Sequence, residues 1–420
     1  MLTIRETCRL CASRDLSVVL ELPPTPIGDR YTETPEPDAE RFPLTLVRCE
    51  SCGLLQLREV IDAETLYSHY RYRTADSLGL SDYFERYVED VAPIVRGRVN
   101  GGCPLAVDIG SNDETLLRAL RARGYTVIGV DPAAGRDTKY SYRSYFTASE
   151  AHNLLAHRGQ ADIITANNVL ANVDDVHDFM EGVKTLLAPD GIFVCETGSG
   201  PDLIASRLYD CIYHEHLSYF GLNQLVRLFN DHGLFIIKAV HTDSKGGCIR
   251  IYARRIRFWE SRVIRELQDQ QREPTHADLA WFRLGLEQLR SDLTRNPPYK
   301  WYFGYGASVG VTTLRYALGL ESLMHQFVDD NTSRHGLFVP GDTARVLSSV
   351  AIYEFPARDT LVILFAWRYA DVILAKHQAF LAGGGVILQP LPTLTIHTGE
   401  SYGRRHQIRP DESPRGAPLA

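Results

Sequence analysis

Twice in this chain an apolar strand runs into a glycine turn, a helix follows, and the next strand ends in a carboxylate. The first copy is Pro104-Leu105-Ala106-Val107-Asp108-Ile109-Gly110-Ser111-Asn112-Asp113, followed by Tyr125-Thr126-Val127-Ile128-Gly129-Val130-Asp131. The second is Lys300-Trp301-Tyr302-Phe303-Gly304-Tyr305-Gly306-Ala307-Ser308, followed by His325-Gln326-Phe327-Val328-Asp329-Asp330. Apolar strands alternating with helices predict parallel sheets covered on both faces, the doubly wound α/β arrangement. In such sheets the glycine turn admits a ligand close to the backbone, and an acid at the next strand end holds ribose hydroxyls. No G-x-x-G follows Gly110, so the first copy is not the dinucleotide fingerprint. Strands Thr360 to Trp367 and Gly384 to Pro390 extend the second copy into a small α/β domain.

Cys8-Arg9-Leu10-Cys11 and Cys49-Glu50-Ser51-Cys52 add a different constraint. Two residues between thiolates let one tight turn present both sulfurs to one ion, and two such turns complete a tetrahedral zinc site. Four protein sulfurs leave no open coordination position, so the Zn2+ is expected to be structural. Eight cysteines in 420 residues suit a reducing compartment and a metal better than a disulfide framework. A net charge of -7 without a long basic run argues against nucleic-acid binding. No apolar run reaches the length of a membrane span and no signal-peptide core opens the chain, so a cytoplasmic protein is expected. A monomer or weak homodimer is also expected.

These signals divide the chain into a zinc-binding domain (1–66), a helical connector (67–97), a cofactor domain (98–255), a helical hairpin linker (256–297), a second Rossmann-like domain (298–405) and a disordered tail (406–420). The connector carries Tyr67-Ser68-His69-Tyr70-Arg71-Tyr72-Arg73, and composition supports a substrate cleft or an interdomain interface equally. The segment 82–91 reads as an amphipathic helix. A helix from Val176 to Leu187, stopped at Pro189-Asp190-Gly191, precedes the strand Ile192 to Glu196. Glu114 is expected at a helix start, where a carboxylate is electrostatically favourable. Ser244-Lys245-Gly246-Gly247-Cys248-Ile249-Arg250 is a glycine turn entering a strand, read equally as a ligand approach or a plain hairpin turn.

Between the fifth strand and that turn lies Tyr213-His214-Glu215-His216. Histidine takes a proton near neutral pH, a carboxylate can orient it, and a phenol can donate to a developing oxyanion. If the four residues were extended, only Tyr213 with Glu215, or His214 with His216, would share a face. A surface loop or a satisfied core histidine is the competing explanation.

The Asp108-x-Gly110 turn, the acid Asp131 and the run Ala161 to Leu170, containing Asn167-Asn168, resemble class I S-adenosylmethionine-dependent methyltransferases. That resemblance implies a cofactor site from Asp108, Gly110, Ser111, Asn112, Asp131, Asn167 and Asn168. Zinc module, methyltransferase core, Tyr-His-Glu-His, the Gly304-Tyr305-Gly306-Ala307 domain and the run His335 to Gly341 occur in one order. Together they resemble the sugar C-methyltransferases that act on nucleotide-linked 4-keto-deoxysugars, typically at C-3. The resemblance implies His216 as general base, assisted by Tyr213, His214 and Glu215, with Tyr72 or Tyr70 reaching the sugar. It further implies substrate contacts from Lys245, Gly246, Gly247, Arg250, Gly306, Ala307, Ser308, Asp329 and Trp367. Asn172 replaces a histidine common in relatives, and no lysine follows Ala307-Ser308. A nucleotide-binding oxidoreductase, a methyltransferase for a non-sugar or an O or N acceptor, and a non-catalytic binding protein are the alternatives.

Overall fold

The computed structural model describes residues 1–67, 72–77, 79–95, 102–135, 138–242, 244–255, 264, 267–268, 271–294 and 299–399. The predicted tail, Tyr70 and most of the first half of the 256–297 hairpin lie outside the described residues.

The N-terminal module contains β1 (Leu2–Ile4), β2 (Leu16–Thr25), β3 (Phe42–Cys49), β4 (Leu55–Leu57), β5 (Glu59–Ile61) and the short helix α1 (Ala63–Tyr67). The expected amphipathic helix follows as α2 (Leu80–Val91), burying Phe84, Tyr87, Val88 and Val91.

The middle domain comprises β6 (Leu105–Ile109), α3 (Thr115–Ala122), β7 (Thr126–Val130), β8 (Ser141–Tyr142), α4 (Ala148–Arg158), β9 (Ala161–Asn167), α5 (Val176–Leu186), β10 (Leu187–Gly198) and α6 (Gly200–Ala205). After these come β11 (Ser218–Tyr219), α7 (Leu222–Asp231), β12 (Phe235–Thr242) and β13 (Cys248–Arg254). Seven strands order as β12-β13-β10-β9-β6-β7-β8. The sheet is parallel from β8 to β10, and β13 is antiparallel to both its neighbours. Strand order reverses between β6 and β9, so the crevice at their carboxyl ends is the expected ligand position. β10 begins earlier than its apolar run suggests. Leu187 already pairs with Ala161, and the Pro189-Asp190-Gly191 stretch is an irregularity inside the strand.

A long helix, α8 (His276–Thr294), leads to the last domain. This contains β14 (Trp301–Tyr305), α9 (Val309–Ala317), β15 (Gln326–Asp329), β16 (Val346–Ser348), β17 (Thr360–Leu364), α10 (Ala370–Lys376), α11 (Gln378–Ala382), β18 (Val386–Gln389) and β19 (Thr395–His397). Its six-stranded order is β16-β15-β14-β17-β18-β19, parallel except for the last pair.

The two glycine turns are built alike. The Gly110 N–H donates to the Val130 carbonyl at 2.8 Å, and the Gly306 N–H donates to the Val328 carbonyl at 2.8 Å. Asp131 accepts the backbone N–H groups of Asn112 and Ala133, while Asp329 accepts those of Ala307 and Asn331. Both glycines have positive φ, 74° and 117°, where a Cβ is strained.

The strand β11 does not belong to the sheet of its own domain. It pairs antiparallel with β4, Ser218 opposite Gln56 and Tyr219 opposite Leu55, and completes the N-terminal sheet β11-β4-β3-β2. The next residue, Phe220, bridges to Ser199 just beyond β10. One short stretch therefore ties the zinc module to the methyltransferase sheet.

Candidate active site

Tyr213 to His216 form a tight turn rather than an extended strand, closed by the His216 N–H donating to the Tyr213 carbonyl at 2.9 Å. A turn breaks the alternation that extended backbone would impose. His216 and His214 go separate ways. The His214 Nε2 lies 3.2 Å from the Phe42 carbonyl of β3, and the ring meets Phe42 edge-on. Burial lowers its pKa to about 4. Below pH 6.5 the unfolded chain takes up a proton that the folded chain refuses, so stability falls with falling pH until about pH 4. The full difference is worth up to about 3 kcal/mol. Denaturant unfolding across that range is expected to show this slope, and His214→Gln to flatten it.

His216 faces the methyltransferase sheet. Its ring stacks against Tyr219 at 4.3 Å and meets Tyr213 at 5.6 Å. A Cβ built on Gly198, the last residue of β10, would lie 3.4 Å from its Cε1 and 3.9 Å from its Nε2. The imidazole edge is thus placed at the carboxyl end of β10. The Tyr219 hydroxyl donates to the Cys211 carbonyl at 3.2 Å and closes the strap behind the turn. Glu215 is buried, and its charge acts on Tyr213 and Tyr67. Burial pushes both phenols well above their ordinary pKa, so they stay protonated donors at neutral pH. The Asn172 side chain opposes this shift at Tyr67 and is outweighed by burial.

The cofactor candidates gather at the crevice. Asp131 ends β7 with its carboxylate on the Asn112 and Ala133 amides at 2.9 and 2.6 Å. Asp108 is buried and accepts from Thr165 at 2.6 Å, and burial pushes its pKa up to about 7. Ser111 shares a hydroxyl hydrogen bond with Ser141. The Asn167 amide ends β9 with both polar atoms buried and without a hydrogen-bond partner among the described residues. Asn168 follows in the left-handed region, and its Oδ1 lies 3.8 Å from the Cys248 sulfur. Buried polar groups are normally paired, so the Asn167 amide points to a polar ligand in this crevice. Glu114 also takes the left-handed region, at φ 67°. It stands at the start of α3 as expected, its carbonyl accepting the Arg118 N–H, while its carboxylate does not cap the helix but accepts the Lys139 and Tyr140 N–H groups and the Ser141 hydroxyl and orders the segment after β7.

The substrate candidates divide. Gly246 and Gly247 lie at the mouth, where the Ser199 N–H donates to the Gly247 carbonyl; of Lys245 only the backbone is described. Arg250 is committed elsewhere, to Glu196 across the sheet at 2.8 Å, to the Tyr83 hydroxyl at 2.5 Å and to the face of Tyr87. Tyr72 lies over the first glycine turn, its carbonyl accepting from the Asn112 amide at 2.9 Å.

The second glycine turn is covered by the first module. A Cβ on Gly28 would lie 2.6 Å from the Val309 carbonyl, and the Tyr31 hydroxyl donates to the Ser308 carbonyl at 3.4 Å. Trp367 and Arg368 donate to the Asp210 carboxylate at 3.0 and 2.6 Å, gripping the segment that leads into the histidine turn. A Cβ on Gly310 would lie 2.0 Å from the Asp210 carbonyl, so glycine permits this contact.

The four predicted metal ligands converge. All four sulfurs lie within 4.8 Å of one another, with Cys8 to Cys52 and Cys11 to Cys49 both at 3.5 Å. Zinc–sulfur bonds of about 2.3 Å place tetrahedral sulfurs about 3.8 Å apart, so the cluster fits a closed structural zinc site. Tyr67 and Tyr219 belong to the site as well, and no local spacing marks either of them in the sequence. Nothing in a single sequence distinguishes Arg9 and Arg368 from surface arginines, yet one is buried and the other grips Asp210.

Comparison with known proteins finds matches along most of the chain. A zinc-binding-domain model matches residues 8–67, a methyltransferase-domain model residues 104–239 and a C-methyltransferase C-terminal-domain model residues 243–392. The C-methyltransferase NovU of Streptomyces niveus is 30% identical over 416 residues, covering 94% of this chain and 98% of the relative. The chain belongs to the S-adenosylmethionine-dependent C-methyltransferases that carry an N-terminal zinc-binding domain. Among solved structures, the magnesium protoporphyrin IX methyltransferase ChlM of Synechocystis PCC 6803 is 13% identical with a TM-score of 0.29, covering 42% of this chain and 78% of that one. The CcbJ methyltransferase of Streptomyces caelestis is 14% identical with a TM-score of 0.31, covering 45% and 94%. Likeness at that level adds nothing to the site. Among the described residues, no helix is long and apolar enough to cross a membrane.

Proposed function

We propose that this enzyme methylates carbon, at C-3, of a nucleotide-linked 4-keto-deoxysugar, with His216 as the base. The observation that carries the reading is the His216 imidazole, held between Tyr213 and Tyr219 with its edge toward Gly198 at the carboxyl end of β10. A C–H beside a ketone becomes removable only when the enolate oxygen is stabilised as the proton leaves. His216 takes the C-3 proton onto a ring nitrogen. Tyr213, within the turn, and Tyr67, on which the Glu215 charge acts, are both kept protonated by burial and serve as donors for the enolate oxygen. Glu215 offsets the imidazolium charge as it forms.

S-adenosylmethionine supplies a methyl group on sulfonium, and Gly110, Asn112, Asp131 and Asn167 are the residues that would hold it. The enolate carbon forms the new C–C bond as the S–CH3 bond breaks, and His216 then returns its proton to solvent. Holding both reactants in line supplies much of the acceleration. The zinc site has no open position and serves the fold.

Incubation with S-adenosylmethionine and nucleoside-diphosphate 4-keto-deoxysugars, with mass and carbon NMR analysis, tests the reading. One new C–CH3 at C-3 for each S-adenosylhomocysteine is expected. Methyl on oxygen or nitrogen, or turnover only with non-sugar ketones, would overturn it. Asp131→Ala is expected to weaken S-adenosylmethionine binding roughly tenfold to a hundredfold by calorimetry, the worth of one charge-assisted hydrogen bond.

A further inference from the structure

Arg9, the residue between the first two zinc cysteines, is fully buried at its side chain. Its Nε donates to Asp174 at 2.9 Å. Its Nη1 donates to the carbonyls of Leu57 at 2.6 Å and Leu217 at 3.2 Å. Leu57 ends β4 and Leu217 immediately precedes β11, where the histidine turn enters the N-terminal sheet, and the Leu57 N–H also donates to the Leu217 carbonyl at 2.9 Å. Leu217 follows His216 directly. The backbone of Arg9 is fixed as well, its N–H donating to Gln56, the residue opposite Ser218. The guanidinium also acts on Tyr219, the ring that stacks on His216.

Burying a guanidinium is costly, and a well-packed apolar side chain usually serves stability as well or better. Here the cost is not fully offset, because Nη2 is buried without a hydrogen-bond partner among the described residues. What an apolar residue could not supply is a rigid planar donor group whose Nη1 binds both the β4 carbonyl and the carbonyl next to His216 while Nε binds Asp174.

We propose that Arg9 is the positioning residue of the base: the zinc knuckle fixes the guanidinium, the guanidinium fixes the Leu217 carbonyl, and this sets where the His216 imidazole points. The proposal rests on the reading of His216 as the base. It makes the metal module part of the catalytic geometry and not only of the fold.

The test uses the zinc-loaded full chain as Arg9→Met, Arg9→Lys and Asp174→Asn. Four quantities are read: zinc content, S-adenosylmethionine binding by calorimetry, kcat and KM on the keto-sugar, and solvent deuterium exchange at the acceptor carbon. Exchange is measured with S-adenosylhomocysteine in place of the methyl donor, so it reports proton removal without methyl transfer. Arg9→Met is expected to lower kcat and exchange together by roughly tenfold or more, the scale of a displacement of the base well under 1 Å. Zinc content stays at wild type, and KM and donor affinity stay within about twofold. Arg9→Lys recovers part of the loss. Asp174→Asn, at a half-exposed carboxylate outside the knuckle, lowers exchange by a smaller factor.

Wild-type exchange in Arg9→Met overturns the proposal. So does loss of zinc in Arg9→Met together with wild-type exchange in Asp174→Asn, which would make Arg9 a strut of the knuckle. Failure of the base assignment is separate: it appears as wild-type exchange in His216→Asn. An inactive His216→Asn beside a fully active Arg9→Met removes this inference alone.

Discussion

His216→Asn is expected to abolish measurable turnover while S-adenosylmethionine still binds. General base catalysis contributes typically about 10²–10⁴-fold, and asparagine cannot accept the proton at all. The substitution keeps a planar polar group at the position of the inner ring atoms and removes the outer ones, so it deletes the proton acceptor without adding bulk between Tyr213 and Tyr219. The proposed cofactor residues Gly110, Asn112 and Asp131 follow β6 and β7 and are held by their own hydrogen bonds there, so donor binding is expected to survive. Single-turnover kinetics with calorimetry on the same preparation checks both halves. Wild-type turnover would place the base elsewhere, with Tyr213 and Glu215 the next groups to replace. Parallel loss of donor binding would mean that the turn also builds the cofactor crevice.

Removing the metal is expected to have an equally large effect by another route. Cys49→Ser leaves three thiols for an ion that needs four ligands, and structural zinc in small domains is worth apparent binding energies of about 10–16 kcal/mol. The four-stranded sheet that carries the zinc module has β11 as an outer strand, so its collapse frees the residues just beyond His216. Turnover is expected to fall by about a hundredfold or more, as for any displacement of a catalytic group by an ångström or more. Donor binding is expected to fall much less, because the glycine turn and Asp131 belong to the middle sheet. Zinc content by elemental analysis, kcat, and calorimetric donor affinity check this. Wild-type kcat in a zinc-free variant would show that the module is dispensable for the site.

The sequence displays what is local and hides what is paired across distance. The cysteine quartet and both glycine turns are readable because short spacing dictates the geometry of a ligand set or a turn. The Pro189-Asp190-Gly191 stop was a sound local signal, yet β10 absorbs it as an irregularity because Leu187 gains a ladder partner in Ala161. The histidine motif was visible as chemistry, but its backbone shape was not, because turn and strand differ by one hydrogen bond that no residue type announces. The union of β11 with β4 joins Ser218 to Gln56, residues far apart in the chain. A two-residue strand has no period to detect. The commitment of Arg250 to Glu196 escaped for the same reason: the partner is fixed by sheet register, not by spacing.

The strand borrowed across the first two domains has a practical consequence for engineering. A natural cut for exchanging modules between relatives would be the end of α1, yet the first module's sheet is finished by residues more than a hundred positions later. A chimera that swaps residues 1–67 alone would join mismatched edges beside His216. Breakpoints that carry 210–220 along with the donor module keep that seam native, and acceptor preference should then travel with it.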